Sequence, residues 1–368
     1  MIQSLLSDKG AQFFIMYASS RDPNFYYATR FRIPDPAFYM IGDDGTELLV
    51  VHEMEKKRAE RESRVREIAS LNDLGYYEKI REGVKPKEAL VETVIELLKT
   101  HHARKVLVPE EFPAFLYERI AEHISVEVVE NPYSDMRAVK TGKEIEHIAE
   151  TSRAIIEAFE HFLKLLRKDR DSDSLRMAVE SYLYGKGYLA EDTIIAGGKR
   201  SADPHYIGHG EIKGHVIFDL FPKNRTTGYY SDFTRTVIIE ESQEVKEMLS
   251  TCIEAKSKAI EMVREGVSAG DVHNAVCDVI ESYGYSTLRQ KAREGFIHST
   301  GHGVGLEVHE KPRVYEGGDE LKAGMVITIE PGLYYEDVGG VRVEDTVVVK
   351  KGGCEILTKY DDWVRLVR

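Results

Sequence analysis

The sequence predicts an α+β fold in two parts: a smaller α/β N-terminal domain at residues 1–130 and a larger C-terminal domain at 144–368, joined by a linker at 131–143. Three observations predict it. The chain has 368 residues, more than one domain of about 100 to 200 usually holds. Its first third alternates strand-like apolar runs with helical periodicity. In the remainder an order of helix, helix, strands occurs twice, with helix starts at Glu144 and Glu244. That repetition suggests an internal duplication and a pseudo-symmetric domain with a site in the cleft between its halves.

The elements read in order as follows. FYYATRF, AFYMIG and TELLVVHEM are expected strands, each bounded by Asp, Pro or Gly. In residues 86–102, Leu90, Val94, Leu97 and Leu98 recur at helical spacing behind Pro86, which suits the first turn. KVLVP is a short buried strand, FPAFLYERIAEH a second helix and ISVEVVE an alternating strand. NPYSDMRAVKTGKE has the polar, Asn-Pro character of a linker. A long helix from about Glu144 follows, its apolar stripe running through Ile145, Ile148, Ile155, Ile156, Phe159, Leu163 and Leu166. A helix over Ser174–Tyr184 comes next, then strand-like HVIFDLF and FTRTVIIE. Helices at Glu244–Glu265 and Gly270–Tyr283 repeat the plan, with FIHS, VITIEPGLYY and VRVEDTVVV as strands.

Composition narrows the function. A net charge of −13 argues against nucleic acid or an anionic membrane as the main partner. No apolar run reaches the roughly 18 residues of a membrane span, and the N-terminus lacks a secretion signal's layout. The three cysteines, Cys252, Cys277 and Cys354, form no CxxC pair, which fits a reducing cytoplasm.

The chemistry is expected among acidic residues inside strands. Asp219 ends the run VIF and Asp232 opens FTRTVIIE, so a hairpin would join the two carboxylates; Glu330 lies in VITIEPG and Glu344 in VRVED. A buried carboxylate without a partner costs several kcal/mol, so all four need cations. Arg235 and Arg342 are available to pair with some of them. Two divalent ions would balance all four, with one neutral imidazole completing the ligands. Such a donor set suits manganese, iron, cobalt or zinc, and paired ions about 3.5 to 4 Å apart support hydrolysis. The imidazole is sought in GHGVGLEVHE, residues 301–310, where His302 and His309 stand seven apart. Gly301, Gly303 and Gly305 argue against a helix there, and on a regular strand an odd separation puts the two rings on opposite sides. They share a site only if the glycines bend the chain, with His302 on metal and His309 facing substrate.

The motifs YSDFTRT, HSTGHGVGLEVHE, TIEPGLY and GVRVED, in this order after Asp219, resemble the signature of the pita-bread metallopeptidases. The N-terminal domain is similar to that of the proline-specific branch, prolidase (Xaa-Pro dipeptidase) and aminopeptidase P; methionine aminopeptidases generally lack it. The resemblance implies a dinuclear site with Asp219, Asp232, His302, Glu330 and Glu344 as ligands, Asp232 and Glu344 bridging. It implies that Glu330 also moves a proton to the leaving nitrogen and that His309 steadies the oxyanion. His205 in SADPHY and His298 match substrate-side histidines, and Arg313 in HEKPR matches an arginine that holds a dipeptide's carboxylate. One departure is the segment FPKNRTTGYY, which lengthens the hairpin between Asp219 and Asp232. The implied protein is a cytoplasmic homodimer that takes two divalent ions per subunit, manganese or cobalt foremost, with zinc or iron as alternatives. It acts on small peptides with proline second, as a dipeptidase or as aminopeptidase P. A metal-free relative that only binds peptides or proteins is a further reading.

Overall fold

The computed structural model describes residues 1–366 and separates into two compact units, Met1–Arg137 and a second beginning at Ala138. No helix among the described residues is long and apolar enough to cross a membrane.

The first unit is built on one six-stranded sheet. Its strand order is Glu67–Ser70, Glu47–Val51, Ala37–Gly42, Phe13–Ala18, Lys105–Pro109, Ser125–Val129. The central strand FFIMYA sends Phe13 and Ile15 into one apolar cluster and Phe14 and Met16 into another. Both faces are therefore covered by helices, which makes the strand read as a continuous apolar run without alternation. That strand escaped the sequence reading, which took FYYATRF as the first one. Phe25–Thr29 instead belong to the helix Pro23–Thr29, with Arg30 as its C-cap and Phe31 beyond it. Asp22 accepts the Phe25 N–H at 2.9 Å, Pro23 sits in the first turn and Arg30 closes the helix with φ 52°. Local capping thus overrides the β-propensity of the aromatic residues.

The stretch expected as a linker, 131–143, holds the helix Pro132–Ala138. Tyr133, 1% exposed, packs in the first unit's core and its hydroxyl lies 2.6 Å from that of Tyr39. TGKE is a capping box: Thr141 N–H donates to Glu144 at 2.8 Å, and the Thr141 hydroxyl accepts from Glu144 N–H at 3.3 Å.

The second unit is the duplicated plan. The helices Gly142–Leu166 and Ser172–Gly185 pack on a sheet ordered Val364–Arg365, Phe233–Ile238, His215–Leu220, Ile194–Gly197. The helices Gln243–Met262 and Ala269–Ser282 pack on one ordered Glu310–Val314, Gly301–Gly303, Val326–Ile329, Asp345–Lys350, Gly353–Ile356. FIHS is not one of these strands. Phe296 exchanges main-chain bonds with the irregular segment at Ser286 and Leu288, so the ladder starts only at Gly301.

VITIEPGLYY and VRVEDTVVV each split in two. Val326–Ile329 pairs with Asp345–Lys350, whereas Gly332–Tyr335 pairs with Gly339–Arg342 in a separate ribbon. Glu330 and Glu344 occupy the two breaks, so both carboxylates sit where the chain passes from one sheet to the other. The halves meet there: Glu344 N–H donates to Thr234 O at 3.0 Å, and the Thr236 hydroxyl accepts from Arg342 N–H at 3.0 Å.

Candidate metal centre

Each acidic side chain is aimed by strand register. Asp219 lies opposite Thr234 in the hairpin, and Asp232 is two residues before Thr234. The twofold alternation of a strand puts all three on one face. The predicted hairpin therefore does bring the two aspartates to one place. The segment between them is anchored, since Lys223–Asn224 pairs with Tyr188–Leu189.

The glycines around His302 serve close approach. A Cβ on Gly301 would lie 1.9 Å from Thr328 O, and one on Gly303 would lie 2.2 Å from Lys311 O. Neither glycine has positive φ, so backbone packing, and not a left-handed conformation, excludes a side chain. The register shifts between His302 and Gly303, and the chain bends through 304–309. His309 returns to His302 with ring centroids 4.1 Å apart and planes at 86°.

His302 Nδ1 donates to Gly303 O at 3.2 Å, and Nε2 faces Glu330 Oε1 at 3.2 Å and Asp232 Oδ2 at 3.8 Å. A carbonyl on one ring nitrogen commonly fixes the other as the ligating one. Potential ligand atoms of Asp232, His302 and Glu344 all lie within 4.8 Å of one another. The Thr234 hydroxyl donates to Glu344 Oε2 at 2.7 Å. Thr328 accepts from His302 N–H and donates to Glu330 Oε1, both at 3.1 Å. Neither threonine was singled out from sequence. Each lies two residues from a candidate acid on its strand, and that spacing was the available signal.

The electrostatics show a site short of positive charge. Burial and the neighbouring Asp219 push Asp232 well above the usual carboxylate range. Burial, then Asp232 and Glu330, do the same to Glu344. Burial also raises Asp219, although Arg342 donates to its Oδ2 at 2.5 Å. Glu330 resists burial through its hydrogen bond and charge contact with His302 and falls to about 2. Burial opposes the His302 charge, but Glu330 and Asp232 prevail and raise it to about 9. Protein cations answer only part of the acidic charge. Arg342 pairs with Asp219, while Arg235 pairs with Asp345 and reaches Glu344 only at its main-chain O, not at any candidate ligand's carboxylate.

The nine residues singled out from sequence line one cavity of about 1000 Å³. His205 and Arg313 are exposed at its wall, Arg313 directly opposite His302 in the ladder. His298 has both nitrogens engaged, Nδ1 with Ser299 O at 2.7 Å and Nε2 with the Tyr334 hydroxyl at 3.0 Å. That hydroxyl donates to Nε2 and accepts from Arg342 at 2.6 Å, so one chain of bonds joins His298 to Asp219. Burial, foremost, and the His302 charge hold His309 at about 4.

A metal ion fits this group. Asp219 Oδ1 and Glu344 Oε1 are buried without a hydrogen-bond partner, an arrangement costly in a protein interior unless something else meets them. The donor set of carboxylates and one imidazole suits a divalent cation of intermediate hardness.

Residues 146–351 match the model of metallopeptidase family M24. A Pyrococcus horikoshii protein named Xaa-Pro dipeptidase is 32% identical over 354 residues, covering 93% of this chain and 92% of its own. The solved prolidase of Pyrococcus horikoshii superposes with a TM-score of 0.82 at 29% identity, over 98% of this chain and 97% of that one. The X-Pro aminopeptidase of Thermotoga maritima gives 0.81 at 26% identity, over 97% of each chain. The second unit thus has the pita-bread fold, and its acidic cavity contains a group able to hold a metal ion in a family that depends on divalent metals. With the match spanning both duplicated halves and a relative covering nearly the whole chain, the protein belongs to metallopeptidase family M24.

Proposed function

We propose that the protein hydrolyses the Xaa-Pro bond of dipeptides, using two divalent ions, manganese or cobalt, held by Asp219, Asp232, His302, Glu330 and Glu344. The observation that carries this is the convergence of three buried acids, two of them with unmet oxygens, and the half-buried Glu330 beside an exposed arginine in one cavity. Bound ions supply an activated water and polarise the scissile carbonyl. His309, held neutral by burial, keeps one N–H to donate to the developing oxyanion. Glu330, ionised and in contact with a hydroxyl and an imidazole, takes the proton that the attacking water gives up and passes it to the proline nitrogen as the C–N bond breaks. His205 and His298 flank the substrate, and the Arg313 guanidinium holds its free carboxylate.

The likeness to the Thermotoga maritima X-Pro aminopeptidase favours a second reading, release of the first residue from longer peptides. Manganese-loaded protein is offered Ala-Pro and Ala-Pro-Ala. Cleavage of the dipeptide alone supports the first reading, and cleavage of the tripeptide the second. Arg313→Ala is expected to raise KM for Ala-Pro by about 10- to 100-fold, as loss of a charged hydrogen bond does. An unchanged KM would remove the reason for preferring the dipeptide. A cytoplasmic location is supported by three free cysteines. The homodimer rests on the family resemblance, and sedimentation tests it.

A further inference from the structure

Glu310 follows His309 but is not part of the cavity wall. Its Oε2 accepts the Leu306 N–H at 3.1 Å and the Glu307 N–H at 3.4 Å. Lys140 Nζ lies 2.8 Å from its Oε1, the two side chains being 1% and 4% exposed, and also donates to Ala138 O at 3.2 Å. A Cβ on Gly305 would stand 2.3 Å from Glu310 Oε1. The root of the 304–309 turn is fixed separately. Val304 N–H donates to Val326 O at 3.0 Å, and Tyr230 N–H, from the Asp219–Asp232 hairpin, donates to Gly305 O at 2.8 Å. The part nearer His309 is gathered onto the Glu310 carboxylate. A buried anion that accepts main-chain N–H groups forms strong, short-range clamps, but only if a cation offsets its desolvation. Lys140 is that cation.

We propose that Glu310, neutralised by Lys140, is a positioning residue that keeps the 304–309 turn closed and so presents His309 to the substrate. The proposal rests on the role given to His309 above. It also answers why a third glycine is needed: Gly305 leaves the space the carboxylate occupies.

The test is a double-variant cycle on manganese-loaded protein with Ala-Pro, joined to amide exchange of the 304–309 segment. Glu310→Ala is expected to lower kcat by about a hundredfold, the usual cost of a catalytic group misplaced by about 1 Å. KM and bound manganese should stay near wild type, and the amides of Leu306 and Glu307 should exchange faster. Glu310→Gln, which keeps an acceptor oxygen, should recover part of kcat. In a His309→Ala background, Glu310→Ala should cost nothing further. Full additivity in that background, or wild-type exchange in Glu310→Ala, overturns the proposal. If Glu310→Ala does not fold, Gly305→Ala disturbs the same contact and is held to the same outcomes. Should wild type cleave no Xaa-Pro substrate, the functional reading fails by itself, and the exchange arm alone decides whether the clamp exists.

Discussion

Two clusters of buried charge meet at neighbouring residues, Thr234 and Arg235 on one strand and Glu344 and Asp345 at the start of another, and follow opposite rules. Arg235 and Asp345, with Lys256 and Asp362, form a balanced set of two cations and two acids. Arg235, fully buried, spends its donors on Thr234 O, Glu344 O, Tyr360 O, Asp361 O and Asp345. One residue earlier in the chain at each place, Glu344 faces the acidic cavity and Thr234 donates its hydroxyl to that carboxylate. There Glu344 and Asp219 each keep an unmet oxygen, and three carboxyls are pushed upward. Alternation along a strand separates the two sets by face alone. The lesson is that the fold can neutralise its own buried acids where it needs only stability. In the cavity it leaves the neutralising to a ligand.

The largest effect expected from this contrast comes from adjacent substitutions. Glu344→Gln should remove activity by at least about a hundredfold and lower manganese occupancy, since even residues behind a metal ligand cost about 10- to 100-fold. In metal-free protein its melting temperature should stay level or rise, because Gln resembles the neutral carboxyl that burial and Asp232 already favour there. Asp345→Asn should do the reverse. It leaves Arg235 and Lys256 short of an acid and should cost about 3 to 5 kcal/mol in denaturant unfolding. Protein that still folds should retain its metal. Equal destabilisation by both variants in the metal-free state would break the contrast.

Proton competition gives the next effect. Without metal, His302 is held at about 9 by Glu330 and Asp232 against burial, so a proton must leave before the ring can ligate. Manganese affinity should therefore climb at least about tenfold per pH unit below that value, with protons released from His302 and from the raised carboxyls of Asp232 and Glu344. Calorimetry in two buffers of different ionisation enthalpy measures that release. The metal-free fold should respond with the opposite sign. A histidine raised in the folded state contributes stability that is complete below about 6.5 and lost as pH rises through about 9. Glu330, lowered to about 2, contributes stability present above about 4.5 and lost as pH falls toward 2. A pH-independent manganese affinity would mean that His302 is not a ligand.

Much of this was legible in sequence, for identifiable reasons. The helix Gly142–Leu166 announces itself by apolar periodicity, because it buries a stripe against a sheet, and the helices Gln243–Met262 and Ala269–Ser282 follow from the repeat of that plan. The acids stood out because each interrupts an apolar strand. What stayed hidden depends on long-range pairing. Nothing local reveals that Glu330 and Glu344 sit at matched breaks between two sheets, or that Lys140 meets Glu310 from 170 positions away. The strand FFIMYA and the helix Pro23–Thr29 were lost because burial on both faces erases alternation and because a capped turn outweighs aromatic propensity. The glycines were legible as a demand for space, but the neighbour making the demand was not. Gly301→Ala should accordingly act through Thr328, whose hydroxyl serves both His302 and Glu330. Overpacking of this kind costs about 1 to 3 kcal/mol, and metal content should fall with stability. Unchanged manganese occupancy would show that the backbone yields there without moving His302.

The smallest effect expected is also the sharpest control. Glu127, on a sheet edge of the first unit, is lowered to about 2, as Glu330 is. Its cause is different: hydrogen bonds from Lys105 and Lys9, at 2.7 and 2.6 Å, on an open surface. Exposed pairs of this type are screened by salt and contribute little. Glu127→Gln should leave activity, metal content and, at about 0.15 M salt, melting temperature unchanged. Any stabilisation by Glu127 should appear only at low salt and only above the ordinary carboxylate range, fading as pH falls toward 2. If Glu127→Gln instead destabilised the protein as strongly as Asp345→Asn, the size of the shift alone would be the better guide. If it is silent, two carboxyls with equal shifts differ in consequence because one lies in water beside flexible lysines. The other is enclosed with acids that the chain leaves for a metal to balance.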